Sequence, residues 1–308
     1  MTRDADQGTQ RAAAHPTTGN GSLGVVSLAR MTAAFFATLA LCAVANKPAA
    51  AATSPWFRST GGEVRLITAG GPADGDGSYR AALEIRTEEG WKTYWRYPGD
   101  SGIGTTADFS GSSNVASAML AFPAPERHED PYSTTIGYEG GAVLPITVKP
   151  GSPDAPAMLV ADVSLGLCKD VCVPVTAHLE VPLGPDTARD ATSGNAIAAA
   201  RAKVPLPASA GDPLSVTDIA IEPGTKPVLR FTARLAKPDQ PADLFVEGPD
   251  GSYLSVPERA SQDGEKAVFT LSSDGLMHKG DTAELRLTLV NGGEAVDQRW
   301  TLDASTLD

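Results

Sequence analysis

The chain has 308 residues, 42% hydrophobic and 20% charged, which excludes an intrinsically disordered polymer and leaves room for two cored domains. Its net charge is −12, and removing the net +2 of residues 1–52 (Arg3, Arg11, Arg30 and Lys47 against Asp4 and Asp6) leaves −14 on residues 53–308, a polyanion without a basic run that argues against nucleic acid and anionic membrane as partners. Thirty-one glycines and 24 prolines suit short strands and turns better than a helical bundle.

Residues Met31–Ala45 (MTAAFFATLALCAVA) carry no charge, follow Arg30 and precede the alanine run Ala49–Ala52. A short apolar segment with a basic flank and an A-x-A end reads as a secretory signal peptide, here cleaved near Ala52. It falls short of the roughly 20 residues that span a bilayer, and an uncleaved anchor is the rival reading. Cys42 follows Leu41, where a lipoprotein needs a small residue. Residues 1–52 are therefore expected to be an extension plus signal peptide, and the mature chain an exported protein that does not span the membrane. Two cysteines then remain, Cys168 and Cys172, an even number in an oxidising compartment.

From Glu63 onward the hydrophobic pattern has period two. Tyr79–Thr87 (YRAALEIRT) puts Tyr79, Ala81, Leu83 and Ile85 on one face, a half-buried strand, and the irregular glycines before it (Gly70, Gly71, Gly75, Gly77) predict a hairpin loop. Further strands are predicted at Trp91–Arg96, Ala118–Phe122, Ala142–Lys149, Met158–Leu165 and Thr176–Leu183. Between Asp186 and Lys203 the pattern changes, and Ser193 or Asn195 is expected to cap a linker helix, Ala196–Lys203, that stops before Pro205. Alternation then resumes at Val228–Ala236, Glu265–Leu271 and Ala283–Val290, with Asn291-Gly292 as a hairpin turn before Ala295–Leu302. The expected fold is all-β: two immunoglobulin-like β-sandwiches over residues 53–185 and 209–308, joined by a short helical linker at 186–208.

Three segments carry candidate chemistry. The first is Leu165-Gly166-Leu167-Cys168-Lys169-Asp170-Val171-Cys172-Val173-Pro174. A bridge over so short a loop stabilises by only about 2 kcal/mol, yet spacing alone leaves a redox pair and a structural bridge equally open. A soft Cu(I) site formed with His178 is a third reading, whereas structural zinc needs four ligands and only two thiolates remain. The second segment is aromatic, Gly90 to Gly102, with Trp91, Tyr94, Trp95 and Tyr97. It reads as a core strand or, with exposed tryptophans, as a carbohydrate platform. Its Gly99-Asp100-Ser101-Gly102 end resembles a serine-protease nucleophile loop, but the only upstream histidine is His15, in the leader. The third segment, His128-Glu129-Asp130-Pro131-Tyr132, reads alone as a polar loop.

In combination these segments resemble one family. The order Gly90-Trp91, Tyr94-Trp95-Arg96-x-Pro98-Gly99-Asp100-Ser101-Gly102, then Phe122-Pro123, His128-Glu129-Asp130-x-Tyr132, Gly137-Tyr138-Glu139 and Val143-Leu144-Pro145, then Leu167-Cys168-Lys169-Asp170-x-Cys172-x-Pro174, is similar to the N-terminal periplasmic domain of the thiol:disulfide interchange protein DsbD, on its suppressor-of-copper-sensitivity branch. The likeness is close from Ser59 to Leu183 and looser beyond.

The resemblance implies a periplasmic thiol–disulfide exchange protein, the component of a reductase-type system. Cys168 and Cys172 would relay reducing equivalents, without a cofactor or metal, between thioredoxin-fold proteins. It also implies a cap loop over the pair, with His128, Asp130 and Tyr132 shielding it, Tyr132 as lid, and Tyr94 and Trp95 as near-site aromatics. With no membrane electron carrier and no C-x-x-C module in the chain, a separate membrane carrier is expected to supply the electrons. The rival is an adaptor in which the cysteines hold copper or a static bridge.

Overall fold

The computed structural model describes residues 51–153 and 155–305; the signal peptide read over residues 31–45 lies outside the described residues. Two immunoglobulin-like sandwiches account for nearly all of the described chain. In the first, one sheet is ordered β1 (Phe57–Ser59), β2 (Gly62–Thr68), β3 (Tyr79–Thr87), β9 (Gly141–Pro150), β6 (Val115–Leu120). The facing sheet is ordered β11 (Cys172–Leu183), β10 (Ala157–Cys168), β4 (Lys92–Gly99), β8 (Thr134–Glu139), β7 (Glu126–Glu129), with β5 (Thr106–Asp108) also on β10.

Alternation explains this core. Tyr79, Ala81, Leu83 and Ile85 of β3 are all buried, as their spacing predicts. Across the sandwich β10 and β11 form one long hairpin whose inward pairs are Leu159 with Val181, Ala161 with Leu179, Val163 with Ala177 and Leu165 with Val175. Both strands run further than expected, to Cys168 and Cys172, because the apolar alternation continues through Leu167 and Val173. The Gly-rich segment before β3 is a hairpin loop, since Thr68 pairs with Ala81 across it.

The helix α1 (Ala191–Arg201) begins earlier than predicted. Its cap is Asp190, not Ser193 or Asn195: the Asp190 carboxylate accepts the Thr192 and Ser193 amides at 3.0 and 3.2 Å. Those bonds, the Ser193 hydroxyl first, hold its pKa below the usual carboxylate range. Ile197 packs with Ile67 and Ala82 on the outer face of the first sheet, a burial that stabilises by about 1.5–3 kcal/mol. The helix is thus docked on the first sandwich along its length.

The second sandwich pairs β12 (Leu206–Pro207), β19 (Glu294–Asp303), β18 (Thr282–Asn291) and β15 (Ala242–Glu247) against β13 (Ser215–Glu222), β14 (Val228–Arg234), β17 (Lys266–Ser272) and β16 (Glu258–Asp263). The turn between β18 and β19 is where it was expected, shifted by one residue. Asn291 is the last paired residue, and Gly292 and Gly293, at φ 57° and 84°, are the central positions.

Both sandwiches fall in one compact unit and share an interface. Arg96 on β4 forks onto Glu247 at 2.7 and 2.9 Å, partners 151 residues apart. Arg127 on β7 does the same to Asp243, at 2.6 and 2.9 Å, and donates to the Pro257 carbonyl. The Tyr97 hydroxyl donates to the Leu254 carbonyl and accepts the Leu254 amide. Phe245 and Val256 of the second sandwich join the core of the first, Phe245 with its ring centroid 5.9 Å from that of Trp95.

Candidate functional site

The β10–β11 hairpin ends in a disulfide between Cys168 and Cys172, which are cross-strand partners with Cα atoms 4.2 Å apart. Leu167 points into the core, so both cysteines point out of the sandwich. Their exposures differ. Cys168 is 1% exposed, whereas Cys172 faces solvent beside Val171, itself 70% exposed.

Two neighbours come from β4, which lies next to β10. Lys92 is directly across from Cys168, and its ammonium donates to the Thr135 hydroxyl at 3.0 Å. Two residues on, Tyr94 shares that outer face. Its hydroxyl lies 3.3 Å from Cys172 Sγ and is the donor, because a disulfide sulfur carries no proton. Burial raises the Tyr94 pKa above its ordinary value, and the negative charge of Asp130 adds to this, so the phenol keeps its proton at neutral pH. The ring fits because Gly166 offers no Cβ on the adjacent strand, where one would sit 3.1 Å from the ring, and because Gly102, at φ +114°, packs its backbone against the other side.

Gly102 gives the protease-like segment its actual role. The Asp100 amide donates to the Thr134 carbonyl, and the Asp100 carboxylate accepts the Thr134 amide, each at 2.9 Å. The loop thereby ties the Tyr94 ring to the start of β8.

The cap segment departs from expectation. His128 is on a strand, β7, paired with Thr135, and not in a loop. Only residues 130–133 form the turn. Asp130 organises it, accepting the Tyr132 and Ser133 amides at 2.9 and 3.0 Å and the Ser133 hydroxyl at 3.1 Å. Those bonds, the Tyr132 amide first, lower its pKa. Held at the tip of this turn beside Pro131, Tyr132 is 96% exposed and does not cover the disulfide. The lid expected at Tyr132 is therefore not formed by it in this conformation. What borders Cys168 is a recess of about 310 Å³ that it shares with Gly90, Lys92, His128, Glu139, Lys169 and Asp170.

Trp95 also departs from expectation. Successive strand residues face opposite ways, so with Tyr94 outward Trp95 is inward, fully buried, with the Arg96 guanidinium 3.7 Å from its ring centroid. It is a core residue, and the exposed tryptophans of a carbohydrate platform are not found here. Lys169, between the cysteines, points instead at the Glu89 carbonyl, 3.4 Å away. His178 lies six residues along β11 from Cys172, roughly 20 Å on an extended strand, and its Nδ1 meets Asp162 at 2.7 Å. A copper site uniting it with the cysteines does not form. Lys92, Gly166 and Gly102 were missed as site residues; the period-two pattern that puts Gly166 on the face of Cys168 was the available signal.

Fold and site together define a class, an immunoglobulin-like sandwich protein with a half-exposed cysteine pair at a hairpin end. Residues 71–183, most of the first sandwich, match the family model of the thiol:disulfide interchange protein DsbD, N-terminal, so this part of the chain is similar to a domain related to thiol–disulfide exchange. Among solved structures, the crystal structure of the N-terminal periplasmic domain of ScsB from Proteus mirabilis superimposes with a TM-score of 0.63 at 20% identity, covering 82% of this chain and 98% of that one. At that identity the likeness is one of fold. No curated protein matches the chain. Among the described residues no helix is long and apolar enough to cross a membrane.

Proposed function

We propose that the protein relays reducing equivalents in the periplasm through Cys168 and Cys172, with a thioredoxin-like donor fed by a membrane electron carrier on one side and thioredoxin-fold substrates on the other. The observation that carries this reading is the asymmetry of the pair: Cys172 is open to an incoming thiolate, and Cys168 is buried beside it as leaving group and resolving thiol. The chemistry belongs to residues 53–185, the helix segment 186–208 docks on them, and residues 209–308 support them.

The donor thiolate attacks Cys172 Sγ. The Cys168–Cys172 bond breaks, and Cys168 leaves as a thiolate that takes up a proton. The donor's second thiol, deprotonated, then displaces Cys172 from the mixed disulfide, leaving the donor oxidised and this pair reduced. In the second half-reaction the Cys172 thiolate attacks the substrate disulfide and Cys168 resolves the mixed species. Two electrons and two protons move per cycle. Tyr94, donating to Cys172 Sγ, stabilises the thiolate on that sulfur whenever it is attacker or leaving group.

The test is the equilibrium reduction potential of the pair against a thioredoxin-like couple, with and without Cu(I). A value above about −300 mV, unmoved by copper, is expected of an exchanging pair. A value below that range marks a static bridge, and a large copper-dependent shift marks the adaptor; either overturns the proposal.

A further inference from the structure

β7 is a four-residue strand at the edge of its sheet, and among the described residues its strand partner is β8. So short an edge strand is weakly placed by its ladder alone. Its two faces look in different directions. Arg127 and Glu129, with Glu126 at the start of the strand, line a cleft that also holds Asp243, Phe245 and Arg259 of the second sandwich, whereas His128 lines the recess at Cys168. The second sandwich holds the free side of this hairpin at two points. Asp243 and the Pro257 carbonyl take the Arg127 guanidinium. The Tyr253 hydroxyl donates to the Asp100 carbonyl, and Asp100 is doubly bonded to Thr134 at the other end of the hairpin turn.

We infer that the second sandwich is a clamp on the β7–β8 hairpin, with Arg127–Asp243 as the positioning pair that keeps His128 against the recess and so limits access to Cys168. The inference deepens the proposed exchange site by giving residues 209–308 a task, but it concerns access alone and does not depend on which proteins exchange electrons there. Arg127 and Asp243 touch neither sulfur, so they act through the hairpin and not on the chemistry.

The experiment uses the reduced full-length chain, iodoacetamide and peptide-resolved mass spectrometry. Trypsin cuts after Lys169, so Cys168 and Cys172 fall on separate peptides and are read independently. A buried thiol reacts in proportion to the population of the open state. Asp243→Asn is expected to raise the Cys168 rate about tenfold, equivalent to about 1.4 kcal/mol of opening free energy, while the exposed Cys172 changes less than about twofold. The double charge swap Arg127→Glu with Asp243→Arg should bring the Cys168 rate back toward the native value. Tyr253→Phe, which deletes only a hydroxyl, should give a smaller rise in the same direction and serves if Asp243→Asn does not fold. An unchanged Cys168-to-Cys172 ratio in a folded variant overturns the clamp, as does a parallel rise at both cysteines, the sign of general destabilisation. A ratio that shifts as expected in a protein with no exchange activity leaves the clamp standing and removes the relay.

Discussion

Tyr94→Phe deletes one oxygen from the site and keeps the ring that fills the space between Gly102 and Gly166. The lost group is a donor 3.3 Å from Cys172 Sγ. A hydrogen bond to a neutral acceptor contributes about 0.5–1.5 kcal/mol net and one to a charged acceptor about 1.5–3, so the hydroxyl favours the Cys172 thiolate over the thiol by about 1–1.5 kcal/mol. One pKa unit is about 1.4 kcal/mol, so the substitution should raise the Cys172 thiol pKa by about one unit. Because burial and the Asp130 charge keep the native phenol protonated, the effect should hold across the neutral range. The assay is the pH dependence of Cys172 alkylation in the reduced protein, read on its own tryptic peptide. Midpoints that coincide within about 0.3 unit in a folded variant would refute the role assigned to Tyr94.

Gly102→Ala forces a Cβ into the Tyr94 ring from a backbone with φ +114°. It should lower stability in urea melts by about 1–3 kcal/mol and move the Cys172 midpoint in the same direction as Tyr94→Phe; native stability would contradict the packing described. His178 has a pKa raised by its hydrogen bond to Asp162 and by the Asp162 charge. The stabilisation from this pair is fully present below the unfolded histidine value of about 6.5 and is lost as pH rises through the higher folded value. An NMR titration of His178 should therefore give a pKa above that reference, falling toward it in Asp162→Asn, and a native value at or below it would be inconsistent with the pair.

Long alternating strands were legible because each inward residue is apolar and each outward one polar. Tyr79–Thr87 and the β18–β19 hairpin are examples, and they fix the two-sandwich architecture. The cysteine pair was legible as a candidate site by its order among the other segments, and the two sulfurs are bonded. The short, polar β7 was not, since Glu126-Arg127-His128-Glu129 has no apolar period to mark it as a strand. The helix cap was misplaced because Asp190, Thr192, Ser193 and Asn195 are all capable of capping, and only the backbone at Asp190, extended at φ −127°, decides between them. The join between the sandwiches was invisible for a different reason. Arg96 and Glu247, or Arg127 and Asp243, are ordinary surface charges until the fold brings them together. Tyr132 was read as a lid from its place in the segment, whereas the Asp130 turn that directs it to solvent is a matter of local hydrogen bonding.

The relay requires Cys172 to be the sulfur that partners engage, and covalent trapping reads that directly. Cys168→Ala leaves the exposed thiol without its resolving partner, so a mixed disulfide formed at Cys172 persists. In periplasmic extract this variant should capture a thioredoxin-fold protein as a band that disappears on reduction, identified by mass spectrometry as joined at Cys172. Cys172→Ala, with only the buried thiol left, should capture little. Capture by Cys172→Ala in place of Cys168→Ala would reverse the assigned order of attack, and two folded variants with free thiols that capture nothing would contradict the relay itself.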